Sequence, residues 1–189
     1  MATDASPEQL AAATPHERVT YRVAPAESSG LHGSSVDIVT VAQAVHWFDR
    51  AAFYREVRRV LVDGGVIAVW CYSLLEITPE VDRLVRHFYT ETVGRYWPPE
   101  RRLVDEEYRT IEFPFDEFAL PPFAIELQLS LDQLAGYLRT WSATQRYVEA
   151  HREDPVAQLV AAIAPHWGDP SAPRATRWPL WIRAGHRRP

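Results

Sequence analysis

The string Val-Ala-Gln-Ala-Val-His-Trp-Phe-Asp at residues 41–49 gathers the side chains best suited to chemistry. Gln43 can both donate and accept a hydrogen bond. His46 can accept a proton or orient a reacting group. Trp47 offers a flat face that attracts a cation. Each also has a plain structural use: aromatic residues that follow an apolar strand commonly pack in a core, Phe48 most readily. Farther on, Arg139, Trp141, Arg146 and Tyr147 share a helical segment. Arg139 falls off the apolar side of that segment, where it can meet a carboxylate through two parallel bonds or simply be solvated.

Other chemistries lack their residue patterns. The seven histidines stand at positions 16, 32, 46, 87, 151, 166 and 186, with neither HxxxH nor HxxH spacing, so no metal site is expected. No G-x-S-x-G string provides the strained turn of a nucleophile elbow. Cys71, the single cysteine, follows an apolar run and reads as packed rather than reactive.

The elements that must position these residues are legible from periodicity. Ser6-Pro7-Glu8 reads as a cap, a first-turn proline and an early acid, opening a helix to about residue 13. Residues 19–23 alternate as a strand, and residues 24–35 form a polar loop with Gly30 and Gly33. Residues 36–45 are β-branched and nearly all apolar, which predicts a strand buried on both faces of a parallel sheet. Asp49 caps a helix with Phe53, Val57, Val60 and Leu61 on one stripe, and Asp63-Gly64-Gly65 is expected to stop it before a strand at 66–70. That order is a βαβ unit.

Beyond it, a helix is expected over 79–96, a short strand and loops over 101–122, and a capping box at Ser130 and Gln133. A further helix opens at Asp154-Pro155. A last strand over 177–184 is placed at a sheet edge or irregular start by Pro179.

On these strings the chain resembles class I S-adenosylmethionine (SAM) dependent methyltransferases, in their trans-aconitate methyltransferase-like branch. The A-Q-A-V-H-W-F-D string carries most of the match. Around it stand A-P-A-E at 24–27, V-R-R-V-L-V-D-G-G at 57–65 and Y-L-R-T-W-S-A-T-Q-R-Y at 137–147. The resemblance implies an α/β, Rossmann-like sheet with helices on both faces. It forms a single partial domain, with residues 1–75 the remaining SAM-fold core and 76–189 the acceptor-cap helices and last strands.

Residue by residue, it implies that Asp4 holds the SAM ribose hydroxyls and that Ala26 and Glu27 line the adenine turn. Gln43, His46 and Trp47 lie beside the methyl group and the acceptor, with Trp47 facing the sulfonium. Arg139, Trp141 and Arg146 belong to the acceptor cap.

The chain departs from the family at its front. The family's G-x-G-x-G turn has no counterpart among Gly30, Gly33, Gly64, Gly65, Gly94, Gly136, Gly168 and Gly185. Strand 1, its helix and most of strand 2, on the order of 50 residues, are therefore expected to be absent. That would leave Asp4 without a strand, strand 3 without a neighbour and one edge of strand 4 bare.

Composition sets the remaining limits. There are 189 residues, with 20 basic against 25 acidic, which does not suit a phosphate-backbone binder, and no nucleic-acid partner is expected. No run of about 18 apolar residues and no signal sequence is read, so no membrane partner and a cytoplasmic location are expected. The expected function is methyl transfer from SAM to a small-molecule acceptor, a carboxylate or a hydroxyl, with SAM binding by this chain alone in question. The rival is a non-catalytic remnant or interaction module. A homodimer through the bare sheet edge is the expected self-association.

Overall fold

The computed structural model describes residues 1–188. Its contacts resolve two compact units, each drawn from more than one stretch of chain.

The first unit comprises Met1–Cys71, Tyr108–Pro121 and residues 182–188. It opens with β1 (Ala2–Asp4) and α1 (Pro7–Ala11). Ser6 caps α1 by accepting from the Gln9 N–H, as its sequence predicts. β2 (Tyr21–Val23) pairs in parallel with β1 in a separate two-stranded sheet. This corrects the expectation that strand 3 lacks a neighbour and that Asp4 lacks a strand. Three residues suffice because flanking bonds lock the pair: Ala2 N–H donates to Thr20 O at 2.9 Å and Ala24 N–H to Asp4 O at 3.1 Å.

β3 (Val36–Ala42), α2 (Arg50–Val60) and β4 (Leu61–Tyr72) form the parallel βαβ unit. Phe53, Tyr54, Val57 and Val60 make the buried face of α2. From Gly65 onward β4 alternates regularly, with Gly65, Ile67, Val69 and Cys71 buried and Val66, Ala68, Trp70 and Tyr72 half-buried.

Two expectations are corrected here. The Gly-Gly pair does not stop α2. The helix ends at Val60, and its last carbonyls accept from the Ser34 and Ser35 N–H groups at 2.9 and 2.8 Å. Asp63-Gly64-Gly65 instead forms an irregularity within β4, since Val36 faces Leu61 but Ile38 faces Val66. Gly64, at φ 75°, supplies the left-handed residue such a bulge needs. Nor is β3 buried on both faces: it ends the sheet order, and Ile38 is 58% exposed.

The larger sheet runs β3-β4-β7-β5, with β5 (Asp116–Phe118) antiparallel to the end of β7 (Arg174–His186). β7 thus lies inside the sheet order rather than at an edge. Burial of Trp178 and Ala184 along it outweighs the one donor missing at Pro179.

The second unit comprises Tyr72–Glu107 and Pro122–Trp181. α3 (Pro79–His87), capped by Thr78, does not continue as one α-helix to residue 96. It widens into a π turn at Phe88–Thr92 and tightens into a 3-10 turn at Gly94–Tyr96. A short α4 (Arg101–Asp105) stands where only a strand and loops were expected. β6 (Phe123–Leu129) pairs antiparallel with the first part of β7.

α5 (Leu131–Arg139) begins with the predicted Ser130–Gln133 capping box. α6 (Ser142–His151) and α7 (Pro155–Trp167) follow, the latter capped by Asp154. Leu134, Leu138, Val156, Ile163 and Trp167 form the centre of this unit's core.

Candidate active site

The site is built where β3 ends. In a parallel sheet the carboxyl ends of the strands are where ligands sit. Gln43, the first residue past β3, takes φ 52°. A non-glycine side chain in that region costs of order 1–3 kcal/mol and persists only when neighbours enforce it. Here the Gln43 N–H donates to Trp70 O at 2.8 Å, tying the bend to the end of β4. The bend turns the chain into a 3-10 turn at Val45–Trp47.

Val45, fully buried, anchors that turn, so the two following rings are sorted by environment. His46 is 5% exposed and Trp47 is 55% exposed, with ring centroids 4.9 Å apart. Phe48 packs edge-on against Phe53 at 5.0 Å, a core contact. Asp49 then caps α2 through the Ala52 N–H at 3.0 Å.

His46 has a partner that its own motif does not contain. Its Nδ1 lies 2.7 Å from the hydroxyl oxygen of Tyr108. Tyr108 is fully buried, at φ 58°, and follows Glu107 at the same φ. The Tyr108 carbonyl accepts from Arg183 Nη1 at 3.2 Å, and Ile111 O accepts from the same nitrogen at 2.5 Å. The rest of the Arg183 guanidinium binds both Glu117 oxygens, at 2.8 and 2.7 Å. That pair holds the Glu117 carboxyl below its ordinary range. Burial pushes the nearby Tyr54 phenol up to about 12, and its hydroxyl has no hydrogen-bond partner among the described residues.

The other residues singled out by sequence fall elsewhere. Asp4 ends β1, exposed, with Oδ1 accepting from Ser6 N–H at 2.8 Å. Glu27 Oε1 accepts from the Asp49 N–H at 2.9 Å, docking the β2–β3 loop on the start of α2. Ala26 is half-buried in the same loop.

Arg139, Trp141 and Arg146 lie in the second unit, each on a different partner. Arg139 Nε donates to Asp154 Oδ2 at 2.9 Å, beside an open cavity of about 520 Å³ also lined by Thr144 and Glu149. Trp141 packs among Phe88, Tyr89, Trp97 and Tyr137, with ring centroids 5.6 to 6.1 Å away. Arg146 Nη1 donates to Tyr96 O at 3.2 Å.

A SAM molecule would require a backbone cradle for its methionine part and free acceptors for its ribose. The described residues meet this in part. Asp4 and Glu27 each already spend a carboxylate oxygen on a backbone N–H. The glycines do not open a cradle beside them. A Cβ on Gly30 would meet the Arg22 guanidinium, and one on Gly33 would come 3.4 Å from Arg59 O.

Fold and site define an α/β protein whose candidate site lies at the carboxyl end of a parallel strand. Residues 1–69 match the family described as Methyltransferase domain. A candidate methyltransferase of Dictyostelium discoideum is 35% identical over 154 residues, covering 80% of this chain and 59% of that protein. The chain thus spans less than two thirds of that relative's length. The structure of a candidate type II methyltransferase from Anaeromyxobacter dehalogenans superposes with a TM-score of 0.91 at 44% identity, over 99% of this chain and 80% of that one. The chain belongs to the class I SAM-dependent methyltransferases.

Proposed function

We propose that this chain provides the acceptor side of a methyl transfer to a small-molecule carboxylate, within the trans-aconitate methyltransferase-like branch. The observation that carries this reading is the Gln43–Trp47 bend. It sets one amide, one buried imidazole and one exposed indole at the end of β3. When bound, SAM supplies a methyl group on a sulfonium. An ionised carboxylate needs to be aligned with that methyl rather than deprotonated, so positioning dominates. Gln43 and His46 orient the acceptor oxygen, and the exposed Trp47 face attracts positive charge.

SAM affinity of the chain is expected to be weak, because Asp4 and Glu27 are partly engaged and the glycines among the described residues open no cradle beside them. Calorimetric titration with SAM and S-adenosylhomocysteine checks this; clear one-to-one binding at micromolar ligand contradicts it. Transfer is therefore measured with saturating methyl-labelled SAM and panels of small carboxylates and hydroxyl compounds. A carboxylate product is an ester that releases methanol in mild base; an ether does not.

Base-labile label is the expected result, and base-stable label overturns the carboxylate reading. Trp47→Ala is expected to lower transfer by at least about tenfold, the weight of ~1.4 kcal/mol. Its side chain is half in water, so stability should move by less than about 0.5 kcal/mol.

A further inference from the structure

A guanidinium taken out of water normally places its N–H groups on acceptors, because a buried donor left unpaired costs free energy. Arg183, whose side chain is 19% exposed, does so with all three nitrogens: Nε and Nη2 on Glu117, Nη1 on the Tyr108 and Ile111 carbonyls. Arg101, at the start of α4, does not. Its side chain is 17% exposed, yet only Nε has a partner, the Tyr89 hydroxyl oxygen at 2.8 Å. Asp105 Oδ1 stands 3.6 Å from the same Nε. Neither Nη group donates to an acceptor among the described residues.

The surroundings hold the guanidinium in that position. α3 gives way to the π turn, in which the Val93 N–H donates to Phe88 O at 3.0 Å. Tyr89, within that turn, accepts from Arg101 through its hydroxyl and donates to Asp105 Oδ1 at 2.5 Å. The direction of both bonds is fixed, because an arginine has no acceptor and a carboxylate no donor. The Tyr89 carbonyl accepts from the Trp97 indole N–H at 3.2 Å, so the same residue sets the ring on which Arg101 lies. The guanidinium carbon is 4.6 Å from the Trp97 ring centre and 5.3 Å from that of Tyr89. Trp141, half-buried, extends this wall, its ring centre 5.6 Å from that of Trp97.

A guanidinium laid on an aromatic face keeps its in-plane donors. With Nε used, the edge that remains is the Nη1–Nη2 fork, which matches the two oxygens of one carboxylate. Asp105 already offsets the charge of Arg101, which suits a monoanion better than a phosphate dianion. The half-buried indoles beside the fork suit a flat apolar body.

We propose that Arg101, on its wall of Trp97 and Tyr89, is a binding site for a small monocarboxylate whose body is flat and unsaturated. The site lies wholly within the second unit. It does not rest on the methyl-transfer reading, and it is tested without SAM.

Benzoate is titrated into the nitrogen-15-labelled chain, and the indole N–H signals of the seven tryptophans are followed. The Trp97 signal is assigned by its loss in Trp97→Phe. It should shift and saturate with a dissociation constant of about 1 mM, the scale of a small fragment. Benzamide, the same body without the charge, and inorganic phosphate should leave it unmoved. Arg101→Met should weaken benzoate at least about tenfold, as expected when a charged hydrogen-bond partner is removed. Arg101→Lys keeps the charge and loses the fork, so it should weaken benzoate as well. An unmoved Trp97 signal at about ten times the expected dissociation constant overturns the proposal. Equal binding of benzamide does so too, as does benzoate affinity retained in a folded Arg101→Met or Arg101→Lys. Binding of phosphate in place of benzoate would overturn the carboxylate. If neither variant folds, benzoate against benzamide on the wild-type chain decides.

Discussion

Glu56 accepts from the Ser29 N–H at 2.9 Å, from the Ser29 hydroxyl at 2.6 Å and from Arg59 at 2.7 and 2.8 Å. The Arg59 bond is the main reason its carboxyl falls to about 2, with the two Ser29 bonds adding to it against the cost of burial. A carboxyl lowered on folding contributes stability that is complete above its unfolded value and lost as pH falls through the folded one. The window therefore runs from an ordinary value of 4.5 down to about 2. Glu56→Gln should lower stability at neutral pH and flatten the acid decline within that window. Denaturant midpoints at several pH values between about 6 and 2 check it, and parallel declines for the two proteins would contradict it. Glu56 stood out in no motif, and neither did Tyr108. Both act through partners distant in sequence, Ser29 and His46, and no local pattern encodes such pairs. Gln43, His46 and Trp47 were legible because one nine-residue string holds them all. What the string did not encode was their sorting into a bent backbone, a buried ring and an exposed ring, which depends on the ends of β4 and on Tyr108.

At the scale of elements, helix starts were the most readable features. Ser6, Asp49, Ser130 and Asp154 each cap as their spacing implies, because a cap is an interaction within three residues. Helix ends were read less well. The Gly64-Gly65 pair resembles a stop, but loop residues Ser34 and Ser35 already satisfy the end of α2, and the glycines serve the strand instead. Strand β1 escaped notice because three residues carry no period. Gly65 permits a sharper test of the corrected assignment. A Cβ built there would lie 2.9 Å from Val62 O and 3.2 Å from Asp37 O, both backbone atoms that cannot swing aside. Gly65→Ala should then destabilise the protein by about 1–3 kcal/mol, the usual cost of overpacking. At a helix stop facing solvent the same change would cost far less. Chemical denaturation distinguishes the two, and a loss under about 0.5 kcal/mol would return the pair to a helix-terminating role.

For the molecule as a whole, the open question is what meets the outer edge of β3. Its inner edge pairs with β4, and no strand pairs with the outer one among the described residues. Ile38 is 58% exposed on a strand whose sequence is V-D-I-V-T-V-A. Unpaired N–H and C=O groups beside apolar side chains are a template for another strand. β6 also borders only β7, so it offers a second edge. The two differ in how they would pair with themselves. An antiparallel two-fold on β6 (F-A-I-E-L-Q-L) sets Glu126 against its own copy, and like charges directly opposite are destabilising. The same operation on β3 centres on Val39, so that Ile38 faces Thr40 and Asp37 faces Val41, and no charge meets itself. We therefore expect a homodimer through β3. Light scattering during size-exclusion chromatography should give twice the 21.6 kDa chain mass at micromolar concentration, falling to the monomer on dilution. Hydrogen exchange of the β3 amides should slow as the dimer forms, while that of β6 stays constant. Ile38→Lys should leave a monomer, since an edge lysine blocks strand addition. A wild-type monomer at every concentration, or a dimer that survives Ile38→Lys and protects β6 instead, would remove β3 as the interface.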